Sequence, residues 1–139
     1  MGLSGSHWVR ILLPAVHDAR RLWPRTGDRM VARRHALKLR YWPAPNPTDE
    51  SGTVLDLNWC WIRALRGERV GELRIDERIG DHDNVRLVFY VHGRARAEDP
   101  MAIVWVLAAM QKKRNEFTAA NIATFRARRQ MVLTRFYGD

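Results

Sequence analysis

The stretch Ile-Val-Trp-Val-Leu at residues 103–107 is followed by Met-Gln-Lys-Lys-Arg-Asn at residues 110–115 and by an amphipathic segment that begins near Thr118. The first run is apolar with no alternation, which is typical of a strand deep in a sheet with both faces covered. The order predicts a buried strand, a basic turn and a C-terminal helix. Such a turn projects Lys112 and Lys113 from a rigid element, and positive charge held there favours a partner that carries phosphate.

The composition fits one compact domain over residues 1–139, because 139 residues that are 46% hydrophobic suffice for one core. The formal net charge is +9, and the three lysines leave 21 arginines among 24 basic residues. Arginine binds phosphate through two parallel N–H groups and stacks on bases, but an arginine excess also arises from GC-rich codons. Both explanations remain open.

The charge is concentrated at the two ends of the chain. Residues 1–47 carry +7 and residues 110–139 carry +5, whereas residues 48–109 carry −3. If both ends are helical and pack near each other, they form one basic surface beside a roughly neutral sheet. The alternative is that these charges belong to ordinary solvated helix faces.

The single cysteine, Cys60, excludes an intramolecular disulfide and a thiolate metal cluster, so a reducing cytoplasm is the expected compartment. Cys60 lies within a strand pattern and is expected to fill a small space in the core. The sequence has no recognisable leader and no apolar run long enough to span a bilayer. The histidines are scattered and no glycine-rich phosphate loop follows a strand, so we expect no metal and no cofactor.

The N-terminal part predicts two helices before a proline-rich loop. Residues 1–7 are expected to be flexible, residues 8–13 to form a strand that Pro14 ends, and residues 16–22 to form a short helix. Asp28 is the expected N-cap of a second helix. Three prolines then make residues 42–52 a loop.

After this loop the apolar period becomes two, which predicts strands over residues 55–61, 70–76 and 85–91. Residues 93–100 form the loop to the apolar strand. The tryptophans at positions 59, 61 and 105 are expected to lie in the core. The predicted fold is α+β: N-terminal helices pack on a small, mostly antiparallel sheet of four or five strands, and a C-terminal helix follows.

The same alternation places Arg74, Arg86 and Tyr90 on one face of the sheet, where Lys112 and Lys113 can join them in a concave basic patch. Arg86 has two interpretations. It can contact phosphate, or it can form a salt bridge across the strands to Glu72 or Asp76.

Several segments in this order resemble the RelE/HigB/ParE superfamily of bacterial toxins, and most closely its HigB or phage-derived branch. They are Gly-Glu-Leu-Arg-Ile at 71–75, Asn-Val-Arg-Leu-Val-Phe-Tyr at 84–90, the apolar strand at 103–107, and Met-Gln-Lys-Lys at 110–113 with Thr118 and Ile122 beyond. The resemblance covers residues 57–133. The chain departs from the family at Met110, which stands where an aromatic residue is usual, and at residues 117–119, which lack a Thr-Pro helix start.

The resemblance implies the toxin of a type II toxin-antitoxin system, a metal-free endoribonuclease that cleaves mRNA on the ribosome. In such enzymes a general base activates a ribose 2′-hydroxyl, and cations stabilise the charge that develops on the attacked phosphate. The residues expected to act in catalysis are Arg86, Lys113, His92 and Tyr137, with His92 or Tyr137 as the acid or base. The residues expected to bind RNA are Arg74, Tyr90, Lys112 and Arg114.

The implied partners are a cognate antitoxin similar to HigA or RelB, the ribosome and its mRNA, with operator DNA reached only through the antitoxin and no membrane partner. One alternative is a gyrase inhibitor of the ParE kind, which a supercoiling assay distinguishes. The other is a phage-derived module that keeps the fold for binding without catalysis.

Overall fold

A single five-stranded sheet organises the part of the chain that the computed structural model describes, residues 7–93 and 102–138. The predicted α+β class, with a C-terminal helix, is confirmed. The elements in chain order are β1 (His7–Ile11), α1 (Leu13–Leu22), α2 (Thr26–Leu37), a 3₁₀ turn (Lys38–Tyr41), β2 (Trp59–Trp61), a second 3₁₀ turn (Arg63–Leu65), β3 (Val70–Ile75), β4 (Val85–His92), β5 (Ala102–Gln111) and α3 (Ala119–Tyr137).

The strand order is β1-β5-β4-β3-β2, with β1 parallel to β5 and every other pair antiparallel. The apolar run at 103–107 lies within β5, between β1 and β4, which confirms the prediction of a buried strand. Val104 and Leu107, on opposite faces, are both fully buried because helices cover both sides. β5 continues to Gln111, so the polar turn begins at Lys112 and not at Met110.

Two apolar layers lie on the two faces of the sheet. On one face α1 and α2 pack over side chains that alternate along β3 and β4, including Leu73, Ile75, Leu87 and Phe89. On the other face α3 and the second 3₁₀ turn pack over Val88, Tyr90, Trp105 and Leu107. Because neighbouring strand residues point to opposite faces, each of these strands contributes to both layers.

Helix α3 begins where the sequence predicts. Thr118 is its N-cap: the side chain accepts a hydrogen bond from the amide of Asn121, whose side chain accepts one in return from the Thr118 amide. This reciprocal pair satisfies two donors that the first helical turn leaves open. Gly138 ends the helix in the left-handed conformation, at φ 73°.

The N-terminal elements differ in detail from the predictions. His7 already belongs to β1 and is buried, whereas residues 1–6 lie outside the described part. Helix α1 begins at Leu13, with Pro14 in its first turn. Proline is tolerated there because amides of the first turn have no hydrogen-bond acceptor within the helix, so the amide hydrogen that proline lacks costs nothing. The prediction of Asp28 as N-cap of α2 is wrong: the cap is Arg25, and Asp28 lies in the first turn.

The predicted loop at residues 42–52 is confirmed, but the strand after it is shorter than predicted, because β2 contains only residues 59–61. The predicted loop at 93–100 lies outside the described residues except for Gly93. β2 is an edge strand, and the layers that bury the central strands cover it only in part. Cys60 is therefore exposed instead of filling core space, and Trp61 is 42% exposed. Trp59 is half-buried, and Trp105 is the core residue that was predicted.

A buried carboxylate joins both helical layers to the edge of β5. Just beyond β1, the Leu12 amide donates to the Val106 carbonyl of β5. Further along β5, the Ala109 amide donates to a side chain, Asp18 Oδ2 of α1, and not to a neighbouring strand. Arg128 of α3 donates to both oxygens of the same carboxylate and to the Leu107 carbonyl. Asp18 thus replaces β1 as the partner of the strand.

No helix in the described ranges 7–93 and 102–138 is both long and apolar enough to cross a membrane.

Candidate phosphate-binding cleft

A basic cleft of about 210 Å³ lies where β3 ends, β4 begins and β5 ends. We call it the basic cleft. Its lining residues are Arg74, Asn84, Arg86, Lys112, Lys113, Arg114 and Asn115. The strand register explains the arrangement, because Arg74 pairs with Arg86, which pairs in turn with Met110 of β5. Lys112 follows two residues beyond Met110, on the same face. Helix α3 begins only at residue 119 and leaves this end of the face open.

The floor of the cleft is a group of three charges, of which Arg86 and Glu72 are buried and Lys112 is partly buried. Arg86 is 6% exposed, and its Nε donates to Glu72 Oε1 at 2.9 Å. Lys112 Nζ lies 3.5 Å from the same oxygen and 4.4 Å from the centre of the Phe117 ring. The backbone amide of Lys112 donates to the Asn84 carbonyl, which fixes the start of the turn. The salt bridge to Glu72, one of the two interpretations of Arg86, is therefore present.

The rim of the cleft carries cations that are available to a ligand. Arg74, Lys113 and Arg114 are exposed, and none of them forms an ion pair with another described residue. Arg74 faces Arg86 directly, and like charges opposite each other on paired strands repel. The five cations and Glu72 give the cleft a formal charge of +4, which makes it an anion site by charge alone.

A second cleft of about 370 Å³ adjoins the first, and both are lined by Lys112 and Asn115. We call it the mixed cleft because apolar and charged side chains line it together. Its apolar lining is Trp61, Ile62, Ala64, Phe117 and Ile122, and its further charged residues are Arg63, Glu72 and Glu116. It lies between the second 3₁₀ turn and the start of α3.

Tyr90, His92 and Tyr137 lie at the other end of the sheet. His92 is six residues beyond Arg86 on β4, which is about 20 Å at the usual rise of a strand. Tyr90 shares the face of Arg86, as the alternation predicts, but α3 covers it and it is 4% exposed. The structure therefore brings together five of the predicted site residues, Arg74, Arg86, Lys112, Lys113 and Arg114, and places the other three elsewhere. Their catalytic and RNA-binding roles remain predictions.

Those three residues form an aromatic cluster with the end of α3. The Tyr90 hydroxyl is 2.9 Å from His92 Nδ1, and the His92 ring stacks on Tyr137 at 3.5 Å between centres. Trp105 Nε1 donates to the Tyr137 hydroxyl at 3.0 Å. The contacts of His92 with Tyr90 and Tyr137 thus hold the C-terminal turn of α3 against the sheet.

Sequence reasoning missed Asn84, Asn115, Phe117 and Glu116 as residues of the two clefts. Asn84 has a positive φ of 50°, a conformation that asparagine tolerates better than most residues. Asparagines beside strand ends were the available signal. Phe117 and Glu116 could not be placed without knowing how the turn after β5 folds toward the second 3₁₀ turn.

Cys60 also lies within the electrostatic reach of the basic cleft. Although the residue is exposed, partial desolvation of its thiol at the sheet edge raises the pKa above the ordinary value. Glu72 raises the pKa further, while Lys112, Arg74 and Arg86 oppose the shift. The thiol therefore stays protonated near neutral pH, a state that makes a poor nucleophile.

Comparison with family models, with curated proteins and with solved structures finds no match to this chain. The likeness to the RelE/HigB/ParE superfamily therefore rests on the ordered motifs of the sequence alone.

Proposed function

We propose that the chain is the toxin of a type II toxin-antitoxin pair, an endoribonuclease that cleaves mRNA on the ribosome and so blocks translation. The observation that carries the proposal is the basic cleft: Arg74, Lys113 and Arg114 surround a fixed group of Arg86, Lys112 and Glu72. The motifs that resemble the superfamily supply most of these residues, and the residues converge at one end of the sheet.

The cleft is suited to stabilising charge on a phosphate. When the 2′-oxygen loses its proton and attacks the adjacent phosphorus, the bond from phosphorus to the 5′-oxygen of the next nucleotide breaks and that oxygen leaves. Negative charge grows on the nonbridging oxygens during this step, and preorganised cations stabilise that state more than the ground state. Arg86 needs little reorganisation because Glu72 already orients it. Lys113 and Arg74, exposed at the rim, are the groups that would contact the oxygens, with Lys112 and Arg114 beside them.

The proposed partners follow from this activity. The substrate is mRNA in the ribosome, so the site of action is the cytoplasm. A cognate antitoxin similar to HigA or RelB neutralises the toxin, and operator DNA is reached only through that antitoxin. The activity requires no membrane.

One observation favours a second candidate, a module that binds RNA at the same cleft without cleaving it. His92 and Tyr137, the residues assigned as acid or base, lie at the far end of the sheet and are engaged with each other. Within the described part of the chain, no imidazole or phenol lines the basic cleft. If no other group moves the proton, the cleft binds without catalysis.

The test is a reconstituted translation reaction in which the 3′ ends of the mRNA are mapped after the purified protein is added. Wild-type protein should cut the mRNA only when ribosomes are present. Lys113→Gln and Arg74→Gln should each slow cleavage at least about tenfold, since each removes a charged hydrogen bond. Arg25→Gln is the matched control, because Arg25 is exposed, precedes α2 on the other face of the sheet and should leave cleavage unchanged.

If the wild-type protein binds the mRNA but leaves it intact, the endoribonuclease hypothesis is rejected and the RNA-binding module is the remaining candidate. Cleavage that is equally fast in the Lys113, Arg74 and Arg25 variants would show that the basic cleft is not the site.

A further inference from the structure

The mixed cleft has the chemistry of a nucleobase pocket. Its volume of about 370 Å³ is in the range of small-ligand sites, and it combines two aromatic side chains, Trp61 and Phe117, with apolar and polar groups. The Phe117 ring is half-buried, held edge to face by Phe125 at 5.1 Å between centres. An aromatic ring fixed in this way is a surface on which a base can stack.

The two clefts meet side by side, as the base and the phosphate of one nucleotide would require. Lys112 and Asn115 line both of them, so a group in the mixed cleft lies beside a phosphate in the basic cleft. Lys112 reaches from Glu72 to the Phe117 ring and therefore stands at the junction. Arg63, exposed at the other side of the mixed cleft, offers a cation to the next phosphate of a strand.

Glu116 is the feature that points to a particular base. It is exposed and lines the mixed cleft, and it forms no ion pair with any residue in the described ranges, although this part of the molecule is rich in cations. Glu72, the other carboxylate of the cleft, is occupied by Arg86 and Lys112. A free carboxylate repels phosphate, but it accepts hydrogen bonds from base N–H groups. Guanine presents two such donors side by side, N1–H and the N2 amino group, which match the two oxygens of a carboxylate.

We propose that the mixed cleft binds the base next to the phosphate held by the basic cleft, and that it selects guanine within single-stranded RNA through Glu116 and Phe117. The inference rests on the proposed function, because it places the same RNA. A strand is the expected occupant, and not a free nucleotide, since cations flank the base pocket on both sides, Arg63 on one and Lys112 with Lys113 on the other.

The test measures binding, with no ribosome present. Fluorescein-labelled tetranucleotides r(UUGU), r(UUAU), r(UUCU) and r(UUUU) are titrated with full-length protein and followed by anisotropy. Wild-type protein should prefer r(UUGU) by at least about fivefold. Glu116→Gln should bring the four affinities together. Phe117→Leu, which keeps apolar volume, should weaken every oligonucleotide that stacks there, by at least about fivefold.

Two control variants separate base selection from general electrostatics. Asp56→Asn also removes one exposed carboxylate, but from a position outside both clefts, so the preference for guanine should persist. Lys113→Gln should weaken all four oligonucleotides by a similar factor and leave the preference unchanged.

If the wild-type protein binds all four oligonucleotides equally and Lys113→Gln still weakens that binding, the base pocket is overturned and the proposed function stands. Free guanosine monophosphate that binds as tightly as r(UUGU) would show a nucleotide site and not an RNA site, which also overturns the inference. A wild-type protein that binds none of the oligonucleotides and cleaves no mRNA would overturn both proposals.

Discussion

Replacing Glu72 with glutamine should make the protein less stable and at the same time make it bind RNA more tightly. The Glu72 side chain is 10% exposed, and its two cationic partners, Arg86 and Lys112, are 8% and 13% exposed. The amide can still accept a hydrogen bond from Arg86 Nε, but the charge that balances two buried cations is lost. Breaking a buried pair costs about 3–5 kcal/mol, and the retained hydrogen bond favours the lower end, about 3 kcal/mol.

The same change raises the formal charge of the basic cleft from +4 to +5. One more unit of net charge about 4 Å from a phosphate in a solvated cleft contributes about 1 kcal/mol, or roughly fivefold in affinity at low salt. Stability and binding therefore move in opposite directions. Few substitutions have this signature, which makes it a sharp test of the geometry.

Urea unfolding followed by tryptophan fluorescence measures the first effect, and anisotropy with a labelled oligonucleotide measures the second. A loss of about 3 kcal/mol shifts the urea midpoint by about 1–2 M. Glu68→Gln is the matched control, because Glu68 pairs with Arg126 on the surface, where such pairs contribute at most about 1 kcal/mol. An unchanged midpoint for Glu72→Gln would refute the buried triad. Weaker RNA binding by Glu72→Gln would show that Glu72 itself contacts the RNA.

Three further predictions concern the stability of the scaffold. Asp18→Ala should lower the free energy of unfolding by about 3–5 kcal/mol, because Arg128 and the Ala109 amide both lose their acceptor; a loss below about 1 kcal/mol in urea would contradict this clamp. Thr118→Ala should cost about 1 kcal/mol through the lost N-cap, and Thr118→Ser should restore most of it. Burial, and secondarily Arg69, lower the pKa of His7 below its ordinary value, so its neutral form is the one that the fold favours. The contribution of His7 to the free energy of unfolding is therefore complete above about pH 6.5 and is lost as the pH falls below that value. Between pH 7.5 and pH 5.5, urea unfolding should show a larger loss of stability for the wild type than for His7→Gln. An equal loss in both proteins would contradict this role of His7.

The sequence predicted faces of the sheet better than positions along it. Period-two alternation correctly placed Glu72, Arg74, Arg86 and Tyr90 on one face, because that period is a local property of extended backbone. It could not show that α3 covers Tyr90 and leaves Arg74 open, since this depends on where the last helix crosses the sheet. The alternation also did not show that β2 is an edge strand of only three residues. Because an edge strand is covered only in part, the prediction of Cys60 in the core is wrong.

The candidate site was predicted in the same uneven way. Five of the eight predicted residues meet in the basic cleft because three strand ends meet there, and strand ends can be inferred from a change of period. His92 was joined to them because it shares the face of Arg86, although six residues of strand separate the two. A pattern in sequence gives the face directly, whereas the distance along a strand has to be counted.

The burial of Arg86 makes it a poor first residue to substitute in a test of activity. Substituting Arg86 removes the main partner of a buried carboxylate, so any loss of activity would combine lost phosphate contact with a damaged fold. Arg74 and Lys113 do not have this problem, because they are exposed and unpaired within the described residues. A division of labour follows from the entropy of these long side chains. The rim cations lose rotamer freedom only when a ligand binds, which costs about 0.5–1.5 kcal/mol for each side chain. Arg86 and Lys112 have already lost theirs on folding, so the floor of the cleft supplies a fixed positive field and the rim supplies the contacts.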